Sequence, residues 1–256
     1  MRITICLLVS LFLFVSSASA FKQMNGEEAD CGNCHSLTKE EAKQIFTGLQ
    51  GEVLSVEQAE VPGFWEIELK TQNQNIPLYL DYSKAYLFSG NIIRMKDKKN
   101  LTEESYRKFN PVDLSSIPTD DALLLGNPDA ATKIIVFTDP HCPYCVKLHE
   151  AMKAAVEKRS DLLFQIKLMP LKPSSKKIAE TIVCNKSLEQ LEAAFAKQEI
   201  PEASCESTII EQNLAVAKSL GIRSTPTLIL PNGQIAPGYK PLDALLELID
   251  RAVVSN

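Results

Sequence analysis

Ile134-Ile135-Val136-Phe137-Thr138-Asp139-Pro140-His141-Cys142-Pro143-Tyr144-Cys145 is the stretch on which the fold turns. Its first half is a run of β-branched and aromatic residues, the composition of a buried strand. Thr138-Asp139-Pro140 closes that run with a breaker. Beyond it Val146, Leu148, His149, Met152 and Val156 recur at helical spacing. Cys142 therefore opens a helix. Pro143 falls at the first helical position, where a missing N–H costs nothing.

A thiol at a helix N-terminus faces unpaired N–H groups and a partial positive charge, which favour the thiolate. The thiolate is the form that attacks disulfides, and Cys145, one turn further in, is placed to resolve the mixed disulfide. A Cys-x-x-Cys between strand and helix is a thioredoxin-type redox signal. Half of a zinc site is the competing reading, but no second Cys/His pair at ribbon spacing accompanies it. Val146 follows Cys145, so this motif lacks the histidine of a haem-attachment site.

Downstream, Gly221-Ile222-Arg223-Ser224-Thr225-Pro226-Thr227 leads directly into an apolar run. Proline at the head of a core strand is unusual because it cannot donate to the ladder. Paired with a Cys-x-x-Cys, it reads as a cis proline facing the thiols, with the Thr225 backbone turned outward to pair with an extended peptide. The alternative is an ordinary trans proline at a strand start.

Around these motifs the pattern predicts a strand at 121–125, the central strand at 133–138, a helix from 142 to about 159 and a strand at 162–168. Helices at 173–185, 187–197 and 206–220 follow, then a hairpin across Pro231-Asn232-Gly233 and a last helix at 242–253. Upstream, Thr38 and Glu41 form a capping box for a helix bearing Ile45, Phe46 and Leu49. Residues 52–93 shift towards period two, with short strands at 53–56, 64–69, 76–81 and 85–88. Lys96-Asp97-Lys98-Lys99-Asn100 reads as a polar break. A short helix capped by Thr102 then runs to Phe109, before Asn110-Pro111 and Ile117-Pro118 interrupt the chain. The domain reading is a signal peptide at 1–20, an N-terminal segment and small domain at 21–97, a linker at 98–119 and a thioredoxin-like domain at 120–256. A small helix-plus-sheet unit has a marginal core, and its exposed strand edge is a physical reason to expect pairing with a second copy.

The signal peptide rests on Met1-Arg2, the apolar run Ile3 to Val15 and the small-x-small site Ala18-Ser19-Ala20. The run is short for a membrane span, which needs about 20 residues. Of the chain's 7 cysteines, the signal carries Cys6. The even remainder suits pairing in an oxidising compartment. The formal charge of −5 has mixed signs and gives no support to nucleic-acid binding.

From Lys133 onward the sequence resembles the bacterial periplasmic disulfide isomerases of the DsbC/DsbG family. The resemblance rests on Val136-Phe137-Thr138-Asp139, Cys142-x-Tyr144-Cys145 and Lys147-Leu148-His149-Glu150-x-Met152. It continues through Pro201-x-Ala203-Ser204-Cys205, Leu220-Gly221, Thr225-Pro226 and Asn232-Gly233-x-x-x-Pro237-Gly238-Tyr239. Residues 38–95 are similar to the family's small dimerisation domain. The implied architecture is α/β: a thioredoxin-like domain with a helical insertion, preceded by a small α+β, cystatin-like dimerisation domain. The implied protein is a periplasmic homodimer that reshuffles the disulfides of misoxidised exported proteins and is re-reduced by a membrane thiol reductase resembling DsbD. By the same resemblance Cys142 attacks, Cys145 resolves, and Thr225, Pro226, His141 and Tyr144 form the substrate-binding surface. Cys184 and Cys205 form a structural disulfide. Pro143 stands where the family's pattern has glycine, and intervening residues tune thiolate chemistry. A dithiol oxidase is therefore one alternative function, and a chaperone-like binding module that uses the dimer's cleft, with an accessory redox centre, is another.

Cys31-Gly32-Asn33-Cys34-His35 falls outside that pattern. It has the form used to attach c-type haem. A local disulfide, an accessory dithiol and a metal site are the other readings its residues leave open. The proposed exchange chemistry itself requires no cofactor. His141, as an imidazolium, is a candidate stabiliser of the thiolate. His149, on the face of Cys145, reads as a packed core histidine.

Overall fold

A computed structural model describes residues 35–201, 205 and 207–254. The signal peptide, Cys31 and Cys34 lie outside the described residues. The chain from Leu37 onward forms one compact unit.

Helix α1 (Lys39–Ile45) starts where the capping box predicts: the Glu41 N–H donates to Thr38 Oγ1 at 3.1 Å. Strands β1 (Glu52–Gln58), β2 (Phe64–Lys70), β3 (Asn75–Asp81) and β4 (Leu87–Phe88) follow as an antiparallel sheet in sequence order. In β2, Trp65, Ile67 and Leu69 are buried while the residues between them are not, the period expected of a sheet with one packed face. Those three side chains meet Ala42 of α1, Phe46 at its C-cap, and Leu78 and Leu80 of β3. Strand β3 is buried on both faces because α2 (Leu101–Phe109) lies on the other side, over Tyr79. Asn110 fastens the end of α2 to β3: its side-chain oxygen accepts the Asn75 N–H at 2.9 Å and its amide donates to Asn75 O at 2.7 Å.

Two local expectations are corrected here. The residue capping α2 is Asn100, which accepts the Glu103 N–H at 3.1 Å. Thr102 instead ties the helix to the preceding loop, accepting the Ile92 N–H and donating to Gly90 O. The polar break is a small hairpin, β5 (Ile93–Arg94) with β6 (Lys99–Asn100). Asp97 closes its turn by accepting from the Arg94 guanidinium and the Lys99 N–H. Charged side chains that read as a loop here satisfy the turn.

The second sheet has the order β11-β10-β8-β9-β7, from β7 (Leu123–Gly126), β8 (Thr132–Thr138), β9 (Leu162–Leu168), β10 (Thr227–Ile229) and β11 (Ile235–Pro237). Only β8 and β9 run parallel among the described pairings. Both faces are covered, which is why β8 reads as an unbroken apolar run. Ile134 and Val136 pack with α3 (Pro143–Lys158) and α7 (Leu242–Val254). Ile135 and Phe137 pack with α6 (Ile209–Ser219) and with Ile117. The insertion between β9 and β10 consists of α4 (Pro173–Asn185), α5 (Leu188–Phe195) and α6.

Two contacts tie the segment after α2 to the second sheet. The Val112 N–H donates to Gly233 O at 2.8 Å. Gly233 has φ +79°, and a Cβ there would lie 2.3 Å from Val112 O, so the turn needs glycine on both counts. Lys167, 1 % exposed, pairs with Asp121 and donates to Pro118 O at 2.6 Å. An ammonium buried that deeply has to be matched by such partners.

Candidate active site

Strand β8 delivers the chain to the site and α3 carries it away. Cys142 is the N-cap of α3, with φ −90° and ψ 118°, and its Sγ accepts the Cys145 N–H at 3.3 Å. Pro143 occupies the first helical position. One turn on, Cys145 is 1 % exposed. Both thiols are free. Burial pushes the Cys145 thiol up to about 12, with the neighbouring Cys142 adding to the effect. The hydroxyls of Thr138 and Thr225 and the Asp139 backbone act the other way, favouring its thiolate. The two sulfurs thus differ in access: Cys142 is half-buried at the rim and Cys145 lies behind it.

The Thr225–Pro226 bond is cis. The Cys142 thiol points at the Thr225 carbonyl oxygen, 3.4 Å away. The loop continues into β10, which pairs with β8 through Thr227↔Phe137. Behind it the Gly238 N–H donates to Pro226 O at 2.8 Å, which brings Tyr239 beside the loop.

Asp139 holds the turn between strand and helix, a role that reading it as a breaker missed. Its carboxylate is 3 % exposed. One oxygen accepts the His141 N–H at 2.8 Å; the other accepts the Leu171 N–H at 2.7 Å and the Ser175 hydroxyl at 3.1 Å. The same residue's carbonyl accepts the Cys142 N–H at 3.0 Å. Aspartate two residues before a turn N–H is an Asx-turn signal, legible in the sequence. Its link to the insertion at Leu171 and Ser175 is not local and left no such signal.

The other candidate residues fall at different distances from the thiols. Tyr144 is exposed, with the Lys147 ammonium 5.7 Å from its ring centre. His141 is exposed, and its described hydrogen bond is the backbone one to Asp139. His149 is buried in the core beside Phe195, and its Nε2 meets Glu192 Oε1 at 2.9 Å. That contact holds the Glu192 carboxyl below its usual value. Cys184 and Cys205 are bonded to each other, with a Cα–Cα distance of 6.0 Å. His35 is exposed, while Cys31 and Cys34 lie outside the described residues. Three exposed apolar side chains stand on the segments that form the site: Tyr144, Leu171 and Tyr239. Leu171 gave no signal in the sequence, because the tie that brings it here runs through Asp139.

Comparison with known proteins matches residues 122–252 to the family described as "Thioredoxin-like domain" and residues 28–103 to "Disulfide bond isomerase protein N-terminal domain". A probable thiol:disulfide interchange protein DsbC of Bordetella avium is 27% identical over 177 residues, 68% of this chain and 62% of that protein. The thiol:disulfide interchange protein DsbC of Escherichia coli K12 is 32% identical over 121 residues, 46% of this chain and 50% of that one. The match thus spans less than two thirds of the length of these relatives. Among solved structures, a disulfide interchange protein from Neisseria gonorrhoeae aligns with a TM-score of 0.45 and 26% identity, over 53% of this chain and 98% of that one.

Proposed function

The chain belongs to the family of thioredoxin-like proteins that carry a disulfide bond isomerase N-terminal domain, and from that we propose that it is a thiol–disulfide isomerase and reductase of exported polypeptides. The observation that carries the reading is the geometry at Cys142: a rim thiol capping α3, 3.4 Å from the Thr225 carbonyl, with Cys145 buried behind it. Reduced Cys142 loses its proton to solvent and attacks one sulfur of a substrate disulfide. The substrate's S–S bond breaks as the mixed disulfide forms, and the expelled sulfur leaves as a thiolate that takes up a proton. A second substrate thiol then displaces Cys142, which completes isomerisation without net electron transfer. If Cys145 displaces the substrate instead, the dithiol is oxidised to a disulfide and the substrate gains two electrons. Repeated reduction needs those electrons returned, for which we propose a membrane thiol reductase resembling DsbD.

Cys145 as resolving thiol suits slow closure. A sulfur held protonated up to about 12 attacks only after losing its proton to a neighbour or solvent, which leaves time for substrate thiols to compete. Thr225 supports the substrate through its backbone. Tyr144, Leu171 and Tyr239 offer the apolar contacts an unfolded segment can use.

We further propose a homodimer formed through the N-terminal sheet, on the export side of a bacterial inner membrane. The support for pairing is the edge strand β4, where Leu87 and Phe88, with Tyr86 beside them, are exposed on a short unpaired edge. No helix among the described residues is long and apolar enough to cross a membrane. Cys31-Gly32-Asn33-Cys34-His35 is proposed as an accessory redox pair, with c-type haem as the alternative its form allows. A Soret band in protein made with the cytochrome maturation machinery decides between them.

The test is repair of a scrambled multi-disulfide protein by the full chain. Cys142→Ala is expected to abolish repair, and unchanged repair by that variant overturns the reading. The oxidase alternative is favoured by Pro143 between the cysteines. Thiol trapping across a glutathione series separates the two, since an oxidase holds Cys142–Cys145 as a disulfide only in strongly oxidising mixtures.

A further inference from the structure

Between α2 and the free edge of the second sheet lies a cleft of about 580 Å³. It runs along β11 from Pro237 and Lys240, at the end near the cis proline, to Arg251 and Gln234 at the other. Its charge is opposite to that of the chain. Lys99, Arg107, Lys108, Lys240 and Arg251 line it, against only Glu103 and Glu104, in a protein of net charge −5. The two glutamates are already engaged, Glu103 by Arg107 and Glu104 by Lys99. Lys108 is engaged too, by Glu57 at 2.7 Å, which leaves the surplus on Lys240 and Arg251. Glu57 itself lies outside the cleft, and Arg251 has only a long, largely exposed contact with Glu247, 3.7 Å away.

Lys240 is the centre of the surplus. Its ammonium donates to the carbonyls of Pro237 at 2.7 Å and Gly238 at 3.3 Å, and no carboxylate pairs with it among the described residues. Burial, then Lys99 and Arg107 across the cleft, pull it below the ordinary lysine value, with Glu104 opposing. On the β11 side Lys240 thus carries positive charge without a carboxylate partner among the described residues, facing the paired cations Lys99, Arg107 and Lys108 across the cleft.

The cleft also continues the exchange site. Pro237 pairs with Thr227, and the Gly238 N–H holds Pro226, so Lys240 begins one strand's width from the loop that faces Cys142. A strand advances about 3.3 Å per residue. A peptide lying against Thr225 therefore brings side chains to Lys240 within about three or four residues of the cysteine being exchanged.

We propose that this cleft binds an acidic segment of the substrate polypeptide, so that disulfides flanked by Asp and Glu are exchanged in preference to others. The proposal rests on the exchange reading above and gives it a substrate class. A free inorganic anion has the same charge, but a groove that extends the peptide site favours a polypeptide.

The test uses the full, reduced chain and two peptide disulfides that differ only in Glu or Gln at three positions around the cysteine. At low salt the Glu peptide is expected to react about fivefold faster, from a few weak charge contacts. The preference should shrink as salt shortens the Debye length towards about 8 Å. Lys240→Gln and Arg251→Glu are each expected to bring the ratio towards one. Arg251 has a side chain 69% exposed, so that variant tests the cleft even if Lys240→Gln misfolds. Equal rates for both peptides with the native chain overturn this inference while leaving the exchange reading intact. No reaction with either peptide overturns the exchange reading itself. Loss of the preference in phosphate, but not in chloride of equal ionic strength, assigns the cleft to a small free anion and overturns the peptide assignment.

Discussion

The Sγ of Cys142 lies 3.4 Å from the carbonyl oxygen of Thr225, although 83 residues separate them in the chain. Under the proposed function, a peptide pairing with the Thr225 backbone would meet the half-buried rim thiol of Cys142, while Cys145 stays behind it. In the reduced chain near neutral pH, iodoacetamide is expected to label Cys142 and to spare Cys145 until the protein is unfolded. Peptide mapping by mass spectrometry checks the order. Labelling of Cys145 first contradicts it.

The buried Cys145 thiol also makes stability depend on pH. Its folded value, about 12, lies above the ordinary 9.0. Below about pH 9 both states keep the proton and the contribution is complete. Above it the unfolded chain releases the proton first, so the reduced form should lose stability progressively from about pH 9 to about pH 12. Urea titrations of the reduced chain and of Cys145→Ala measure it. The variant should show a flatter slope over that window.

Asp139 joins the nucleophile's turn to the insertion. Asp139→Ala strips the partners from the Leu171 and His141 N–H groups and from one bond of the Ser175 hydroxyl. Each of these three hydrogen bonds to the buried Asp139 side chain contributes about 1 kcal/mol, so a loss of about 3 kcal/mol is expected, together with slower exchange at Cys142. Denaturant midpoints and the rate of a single exchange step report the two effects. A variant as stable and as fast as the native chain removes the role assigned to Asp139.

The Cys184–Cys205 bridge closes a loop with a sequence separation of 21. The chain-entropy account gives about 3 kcal/mol for a loop of that order. Cys184→Ala with Cys205→Ala should lower stability by that amount and leave the Cys142–Cys145 couple titrating as before. Urea unfolding and thiol trapping read the two separately.

Tyr86→Asp with Leu87→Asp puts charge on the edge strand β4 and the residue before it, where Leu87 is 44% and Tyr86 74% exposed. If that edge joins two copies, sedimentation should shift from dimer to monomer at micromolar concentration, since apolar contact is replaced by like-charge repulsion. A dimer that survives both changes places the interface elsewhere.

Several elements were legible because their causes are local. The apolar run of β8, the proline at the first position of α3 and the Thr38–Glu41 cap each depend on residues within one turn or one strand. Where neighbours in sequence offered two choices, the reading slipped. Both Asn100 and Thr102 can cap α2, and it is the contact of Thr102 with Gly90 and Ile92 that hands the cap to Asn100. The charged run at 96–100 hid a hairpin because its turn is closed by ion pairing, which carries no apolar period.

The sequence by itself determined a thiol on a helix N-terminus, a second thiol one turn inside, a proline opening a strand, and a resemblance that named the partners of each. Those follow from spacing and side-chain type, which act over a few residues. Only the tertiary structure decided that Asp139 reaches the insertion at Leu171 and Ser175, and that a surplus of positive charge collects beside β11 in an acidic chain. Each of these brings together groups tens of residues or more apart. Their energies are set by burial and by the charges across a cleft, and chain order encodes neither.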